Sequence, residues 1–294
     1  MRTDPILVGF DGSDPARAAL DWALDEAART GQPVRLLYVF EWVDFGSAMA
    51  PGIGPGGWHD EVAWREVEAM LRAVESEAAT THPGVRVGGE VADGPASGLL
   101  LERSAQAALV VLGHRGHGGF AGLLAGSTAV AVSSHAHCPV VVVRGEPRRK
   151  EPVVVGVDGS RYSLLALDFA LDRAATRRVP LRVVRTWTPP SVPWRSPELN
   201  LAEVDDAERA AVRELLAPRR ERYPGVEVDV EVVAGNPSVV LADAARAAQL
   251  VVVGSRGRGG FTGLLLGSVS QQLINHSECP VAVVRELGQS SGAR

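Results

Sequence analysis

Two stretches of the sequence carry glycines and hydroxyl side chains at a spacing that suits the binding of phosphate. Each has a glycine, two residues, a second glycine, nine residues and then a Gly-Ser pair. These residues are Gly113, Gly116, Gly126 and Ser127 in the first stretch, and Gly254, Gly257, Gly267 and Ser268 in the second. Glycine reaches a positive φ without strain and lets phosphate oxygens approach the backbone N–H groups. The pattern predicts a phosphate-binding loop in each stretch, although a flexible turn would contain the same residues.

An arginine lies inside each loop, at Arg115 and at Arg256. A guanidinium there could pair with phosphate, but an arginine exposed to solvent explains the sequence equally well. The Gly-Ser pair that ends each loop is expected to begin a helix, whose N-terminal N–H groups and dipole favour an anion. The loop and the helix together indicate an anionic ligand.

A short acidic turn is the second repeated motif. Its residues are Asp11, Gly12 and Ser13 in the first copy, and Asp158, Gly159 and Ser160 in the second. Each turn follows an apolar run typical of a buried strand, and the serine stands where a helix N-cap belongs. The aspartate either helps to hold a ligand or caps the helix. Because the serine can cap instead, the first interpretation is favoured.

Apolar runs and helical patterns alternate around these motifs. The strand-like runs of the first half cover residues 6–10, 34–40, 85–91, 109–113 and 139–144. Leucine and alanine recur at helical spacing after the first run, and the second half follows the same order. This alternation predicts an α/β fold of two tandem Rossmann-like domains, each a five-stranded, doubly wound parallel sheet with helices on both faces. Ligands of such sheets bind past the carboxyl ends of the strands, where both motifs are expected to meet.

An internal repeat accounts for the doubling of every motif. The first turn recurs after 147 residues and the glycine loop after 141, so the first half holds six additional residues, which we assign to the Gly- and Pro-rich segment 46–60. The two loops, at 113–127 and 254–268, are identical at 11 of 15 positions. A charged segment with two prolines, 145–152, is typical of a linker. We therefore expect two nucleotide-binding domains, at residues 1–147 and 148–294.

Composition narrows the class of protein. The net charge of −5 argues against a broad contact with nucleic acid or anionic membrane. No apolar run approaches the roughly 20 residues of a membrane span, and the start resembles no secretion signal, so a cytoplasmic location is expected. Cys138 and Cys279 each precede a proline and a valine run, which indicates buried residues and not redox chemistry. His135, His137 and Cys138 alternate along a predicted helix and share no face, so no metal site made by protein ligands alone is expected.

This combination of motifs resembles the universal stress protein family, as a tandem pair that covers nearly the whole chain. The resemblance rests on the strand ends VGFDGS (8–13) and VGVDGS (155–160), the doubled glycine loop, and the closing strands that follow Cys138 and Cys279. Members with this loop are known as ATP binders, whereas members that lack it generally are not. The resemblance therefore implies one ATP in each half.

The resemblance also implies roles for individual residues. Asp11 and Asp158 would lie near the ribose and phosphates, where they could accept a sugar hydroxyl or help to hold Mg²⁺. Val39 and Thr186 match a position that contacts adenine through the backbone. Hydroxyls after the third glycine would reach the terminal phosphate, in the segments Ser127, Thr128, Ala129 and Ser268, Val269, Ser270. Because an alanine replaces the last of these serines in the first half, that site is expected to lack one phosphate contact.

Three functions stay open at this point. The leading hypothesis is a cytoplasmic stress-response protein that acts as an ATP-dependent sensor or regulator, with an unknown protein partner and, by the resemblance, as a homodimer. The competing hypothesis is a slow ATPase or a nucleotidyl transferase, but the loops lack the lysine of a GxxxxGK[ST] motif. The third is a pseudo-dimer whose loops no longer bind. In every case the apolar closing strands, 139–144 and 280–285, are expected to join the halves, since exposed edges would need protection.

Overall fold

The computed structural model of the chain describes residues 4–40, 61–116, 125–145, 148–188, 201–259 and 265–286. The predicted Gly- and Pro-rich loop at 46–60 lies outside these residues, as does its proline-rich counterpart at 189–200. The middle of each glycine loop also lies outside them, whereas both ends of each loop are described.

The described residues form ten strands and eight helices in alternating order. The first half contains β1 (Ile6–Gly9), α1 (Asp14–Thr30), β2 (Val34–Phe40), α2 (Glu61–Thr81), β3 (Val87–Asp93), α3 (Ala96–Ser104), β4 (Leu109–Gly113), α4 (Ser127–His135) and β5 (Val140–Val143). The second half contains β6 (Val153–Gly156), α5 (Arg161–Arg177), β7 (Leu181–Trp187), α6 (Leu201–Arg220), β8 (Val228–Ala234), α7 (Pro237–Ala245), β9 (Leu250–Gly254), α8 (Ser268–His276) and β10 (Val281–Val284). The predicted α/β class is confirmed, and the third strand lies two residues later than predicted.

All ten strands join in one sheet, in the order β3-β2-β1-β4-β5-β10-β9-β6-β7-β8. Neighbours within each half are parallel. The two halves meet at β5 and β10, which are antiparallel, with Val141 opposite Ala282. Parallel strands buried on both faces are continuous apolar runs, and the valines of β5 and β10 follow this rule. The prediction that the closing strands join the halves is confirmed.

Helices α1 and α5 begin at serine caps that their sequences provide. Ser13 caps α1, because its side chain accepts a hydrogen bond from the N–H of Ala16. Ser160 caps α5 in the same way, because its side chain accepts a hydrogen bond from the N–H of Ser163. Helix α1 ends at Gly31, whose φ is 72°, in the left-handed region that favours glycine. The two serine caps confirm the prediction made for the acidic turns.

The sheet separates two apolar layers. Helices α1, α2, α5 and α6 cover one face, with Leu20, Leu24, Leu167 and Leu171 among the buried side chains. Helices α3, α4, α7 and α8 cover the other face, where Val132 and Leu273 are fully buried. None of the helices in the described ranges is long and apolar enough to cross a bilayer.

Candidate functional site

Each half has a point where the strand order reverses. Strand β1 pairs with β2 on one side and with β4 on the other, and β6 lies in the same way between β7 and β9. Connections that leave neighbouring strands toward opposite faces open a crevice at their carboxyl ends. The acidic turn follows β1 or β6 and the glycine loop follows β4 or β9, so both motifs lie at this crevice.

The acidic turn is built around its carboxylate. Oδ1 of Asp11 accepts hydrogen bonds from the backbone N–H of Ser13 at 3.0 Å and from its hydroxyl at 2.6 Å. Oδ1 of Asp158 accepts from the N–H of Ser160 at 2.9 Å. The glycine between them, Gly12 or Gly159, has a φ of 84° or 80°, a conformation that other residues rarely adopt. The turn therefore fixes the direction of the carboxylate.

Hydrogen bonds set the ionisation of Asp158. Burial raises the pKa of this carboxyl, but the hydroxyl and N–H of Ser160 and the backbone N–H of Arg258 lower it more, so the pKa lies below its ordinary value. The Arg258 N–H reaches Oδ2 at 2.8 Å. The side chain is therefore a carboxylate at neutral pH, held between the turn and the glycine loop.

The second glycine of each loop meets the acidic turn. A Cβ added at Gly116 would lie within 3.0 Å of Oδ2 of Asp11, and one added at Gly257 would lie equally close to Oδ2 of Asp158. The structure thus brings together the two motifs that the sequence placed at one crevice. Glycine at this position makes room for the carboxylate.

The first glycine of each loop has a packing role that the sequence did not reveal. A Cβ at Gly113 would lie 2.6 Å from the backbone carbonyl of Pro15 in α1, and one at Gly254 would lie 2.7 Å from the backbone carbon of Tyr162 in α5. Close packing of α1 and α5 on these strand ends therefore requires glycine. The prediction that loop glycines provide positive φ is wrong for the described ones, since positive φ falls on Gly12 and Gly159 of the acidic turn.

The third glycine of each loop is the N-cap of a helix, where it offers no side-chain acceptor. Gly126 is the N-cap of α4 and Gly267 is the N-cap of α8, and neither helix has a side-chain cap. The predicted helix starts are confirmed. A Cβ at Gly126 would meet only His114 and Arg115, at an ordinary 3.6 Å, and the φ of Gly126 is −71°. Neither crowding nor backbone conformation within the described protein requires glycine here, and the N–H groups of the first turn are left for another acceptor.

The predicted hydroxyls divide into two groups. Ser127 and Ser268 are exposed at the start of their helices, and Thr128 is half-buried. Ser270 is buried and donates its hydroxyl hydrogen to the carbonyl of Gly254 at 2.8 Å, so its donor is already used. Its counterpart Ala129 is buried as well. In this structure the Ser270 hydroxyl ties α8 to the end of β9, while Val269 packs against the apolar core.

The loop arginines are half-buried and lack a carboxylate partner within the described part of the chain. The Nε atoms of Arg115 and Arg256 are buried without a hydrogen-bond acceptor there. The guanidinium of Arg256 lies over the ring of Tyr162, 5.2 Å from its centroid. Fully solvated arginines, the alternative given above, do not match these surroundings. Positive charge at the loop is thus uncompensated among the described residues.

Sequence reasoning missed two further arginines, which end the closing strands. Burial lowers the pKa of Arg144, and the charge of Arg115 lowers it further. Burial and the charge of Arg256 have the same effect on the pKa of Arg285. Nη1 of Arg144 donates to the carbonyls of Ile274, at 2.9 Å, and of Asn275. The equivalent places of the two arginines in the repeat were the signal that could have identified them.

The two sites differ at the end of the second strand. Val39 and Thr186 are half-buried there, opposite Ala92 and Val233 of the neighbouring strands. In the first half the next residue, Phe40, packs into the apolar layer on the other face of the sheet from Val39 and stacks on Trp64 with 5.6 Å between the ring centroids.

Polar pairs occupy the corresponding place in the second half. Arg185 pairs with Glu208 at 2.7 Å, and the indole of Trp187 donates to Asp205 at 2.6 Å. In the first half, burial and the charge of Asp11 raise the pKa of Tyr38, the counterpart of Arg185. The repeat therefore keeps the loop end of the site and varies its outer end.

The remaining candidates lie elsewhere. His135 ends α4, whereas His137 and Cys138 follow it, so the assumed continuous helix is wrong. In the described ranges, no three His, Cys, Asp or Glu side chains are grouped as metal ligands. Burial raises the pKa of Cys138 to about 12 and that of Cys279 to about 11. Both are buried at the start of a strand, as predicted, and their thiols are protonated at neutral pH.

Fold and site together define a tandem α/β protein with two related crevices in one sheet. The chain belongs to the universal stress protein family, whose family model matches residues 2–144 and 150–285. It is 37% identical over 301 residues to Universal stress protein Rv1996 of Mycobacterium tuberculosis, covering 95% of this chain and 94% of that protein. It is 35% identical over 297 residues to Universal stress protein Rv2623 of the same species, covering 96% of each.

Solved structures support the fold. A universal stress protein from Archaeoglobus fulgidus superposes with a TM-score of 0.71 at 19% identity and covers 98% of this chain and 100% of its own. PA1789 from Pseudomonas aeruginosa, described as functionally unknown, has a TM-score of 0.64 at 18% identity and covers 97% and 93% of the two chains. At these identities the likeness shows the shared fold alone.

Proposed function

We propose that the protein binds one ATP in each half and acts as an ATP-dependent sensor or regulator of the stress response in the cytoplasm. The observation that supports this is a contiguous set of groups at each crevice. The carboxylate of Asp11 touches Gly116, the backbone of the adjoining Arg115 lies against Gly126, and Gly126 begins a helix with no side-chain cap among the described residues. The acidic turn, the loop arginine and the helix N-terminus thus belong to one contiguous site.

These groups suit the parts of a nucleotide. Backbone N–H groups at the start of α4 and α8 would hold phosphate, with the exposed hydroxyls of Ser127 and Ser268 beside them. The guanidinium groups of Arg115 and Arg256 would balance its charge. The carboxylates of the acidic turns would accept a ribose hydroxyl or share a Mg²⁺ ion with the phosphates. One carboxylate per site is typical of magnesium held mainly by a nucleotide.

We propose binding and not rapid turnover as the role of these sites. Phosphoryl transfer needs a positioned water and positive charge that follows the developing transition state. The described part of each crevice offers backbone donors, a hydroxyl and a half-buried loop arginine, to which the second crevice adds Arg258, whose guanidinium lies against Gly159 of the acidic turn. A slow ATPase is the alternative. We also propose a homodimer of whole chains, domain limits at 1–147 and 148–294, and a protein partner that responds to the state of the sites.

A glycine series tests this proposal. Gly126→Ala and Gly267→Ala add a methyl group that the described residues accommodate, but we expect the methyl to intrude where phosphate meets the helix N-terminus. We expect each to weaken ATP binding in its own half by about tenfold or more, the effect of a lost hydrogen bond to a charged group. Isothermal titration of the full chain measures both sites.

Matched controls separate binding from folding. A Cβ at Gly88 or at Gly225 meets no atom within 4 Å, so Gly88→Ala and Gly225→Ala change the same atoms far from the crevices. They should bind ATP as the parent does. If Gly126→Ala and Gly267→Ala also bind with parent affinity, the assignment of the site is wrong.

A further inference from the structure

An ion cluster is buried where the helices of the two halves meet. Glu26 of α1 is fully buried. Its carboxylate pairs with Arg177 of α5 at 2.6 Å and also with Arg173. Burial raises the pKa of Glu26, but the charges and hydrogen bonds of the two arginines lower it more, so it lies below its ordinary value. One acid of the first half thus neutralises charge from the second.

The antiparallel contact between β5 and β10, here called the seam, lies beside this cluster and does not distinguish one half from the other. Val141 lies opposite Ala282, and these residues are counterparts in the repeat, 141 positions apart. The antiparallel pair therefore has a local two-fold axis at this point. Apolar valines surround it on both strands and are fully buried. Two copies of the first half, or two of the second, would form the same seam.

The other helical layer has an arginine at the equivalent place in each half. Arg144 follows β5 and donates to the last carbonyls of α8, at Ile274 and Asn275. Its counterpart 141 positions later, Arg285, is also an arginine. Pairs of like halves would therefore present the same side chain across the axis.

The ion cluster breaks this symmetry. The first helix repeats after 147 residues, so Glu26 is the counterpart of Arg173, and Thr30 is the counterpart of Arg177. Residues at equivalent places around the axis thus carry opposite charges. A pair of first halves would bury two copies of Glu26 without a cation, and a pair of second halves would bury four arginines without this acid. Buried charges that lose their partner are strongly unfavourable.

We propose that Glu26, Arg173 and Arg177 select the partner at the seam, so that a first half pairs only with a second half. A buried ion pair contributes little net stability compared with apolar packing, and its best-attested use is the selection of register and partner. Gln249 supports the selection, because its side chain holds Arg177 at 2.8 Å and the backbone of Arg149 and Glu151 in the linker. Every seam then joins one site of each kind.

The first experiment exchanges the charges within one full chain. Glu26→Arg places a third cation in the cluster and should lower the melting temperature by about 10 °C. Adding Arg173→Glu to the same chain restores opposite charges at the equivalent positions and should recover more than half of this loss. Glu66→Arg, at an exposed position on α2, makes the same change in net charge and should leave the melting temperature unchanged.

The second experiment asks whether like halves pair once their charges are complementary. Val141→Cys is the reporter, because residue 141 faces Ala282 in the native seam but would face residue 141 of a second chain in a seam of two first halves. Opposite residues of antiparallel strands are about 4.5–5.5 Å apart, within reach of a disulfide. The reporter is added to a Glu26→Arg chain and to an Arg173→Glu/Arg177→Glu chain, and the two are refolded together in a thiol–disulfide buffer.

The mixture should give a cross-linked pair containing one chain of each kind, at least about tenfold more than either chain alone or the parent with the reporter. Chains without the reporter measure any background from Cys138 and Cys279. Association of whole chains through other surfaces does not create this link. The proposal fails if the charge exchange in one chain restores no stability, or if the mixture cross-links no more than its components.

Discussion

The two crevices of the chain agree at one end and differ at the other. Both place an aspartate against the second glycine of the loop and an uncapped helix beside a half-buried arginine. At the end of the second strand, the first half has Phe40 stacked on Trp64, whereas the second half has Trp187 bonded to Asp205. The shared part is the part that suits phosphate. The comparison therefore separates what both sites must do from what each does alone.

The glycines of one loop also differ in which contact, if any, requires a glycine at that position. Gly113 is required by the backbone of Pro15, Gly116 by the carboxylate of Asp11, and Gly126 by nothing described within the protein. A glycine that contacts within the protein require is explained by packing. A glycine that no described contact requires is a candidate for contact with a ligand.

The largest expected effect comes from the glycines that helix packing requires. Gly113→Ala and Gly254→Ala would press a methyl group onto the backbone of α1 and α5 respectively, so we expect each to lower the free energy of unfolding by about 2–3 kcal/mol. Urea unfolding of the full chain measures this loss. Gly126→Ala should change stability by less than about 0.5 kcal/mol, and equal losses in all three variants would remove the distinction between packing glycines and ligand glycines.

The hydroxyls of the second crevice sharpen the same comparison. Ser270→Ala removes the bond to the carbonyl of Gly254 and should cost about 1 kcal/mol of unfolding free energy while leaving ATP affinity unchanged. Ser268→Ala, at the exposed start of the helix, should weaken ATP binding and leave stability unchanged. Calorimetric titration and urea unfolding of both variants test this. If Ser270→Ala instead weakens ATP binding and Ser268→Ala does not, Ser270 contacts the phosphate, as the sequence suggested.

Acid should affect the second crevice through Asp158. Because the folded-state pKa of this carboxyl is lowered, its contribution to stability is present above the unfolded value near pH 3.9 and is lost as the pH falls through the folded value. Asp158→Asn should therefore lose less stability than the parent as the pH falls below about 4. Asp229→Asn, exposed on β8, serves as the control. Glu26 is present in all three chains and cancels from the comparison.

The smallest expected effect is chemical. We expect steady-state release of phosphate from Mg·ATP to be far slower than the roughly 10 per second typical of enzymes, because the crevices bind phosphate without evident means of activating water. Asp11→Ala and Asp158→Ala should change this rate little. A rate near that of an enzyme, lost in either variant, would establish the competing hypothesis of an ATPase.

Much of the fold follows from the sequence. Apolar runs alternate with helical patterns, Ser13 and Ser160 mark helix starts, and the closing strands need a partner, so the strands, caps and seam could all be predicted. The purposes of Gly113 and Ser270 could not. They depend on how closely a helix packs on a strand end, which is set by tertiary contacts between distant segments and not by local patterns.

The ion cluster between the two halves could not be predicted from the sequence either. Glu26, Arg173 and Arg177 look like ordinary helix charges until the antiparallel seam brings α1 beside α5. The repeat gave one clue, because Glu26 and its counterpart Arg173 carry opposite charges, but Asp14 and Arg161 do so as well. Only the pairing of β5 with β10 shows that these counterparts face each other.

The most direct test of the account is the number of ATP molecules that one full chain binds. Native mass spectrometry is carried out at Mg·ATP concentrations that separate a tenfold change in affinity. The parent and Gly88→Ala should each bind two ATP molecules per chain. Gly126→Ala or Gly267→Ala alone should bind one, and the variant that combines both should bind none. A parent chain that binds no ATP, or a combined variant that still binds two, would contradict the assignment of a nucleotide site to each half.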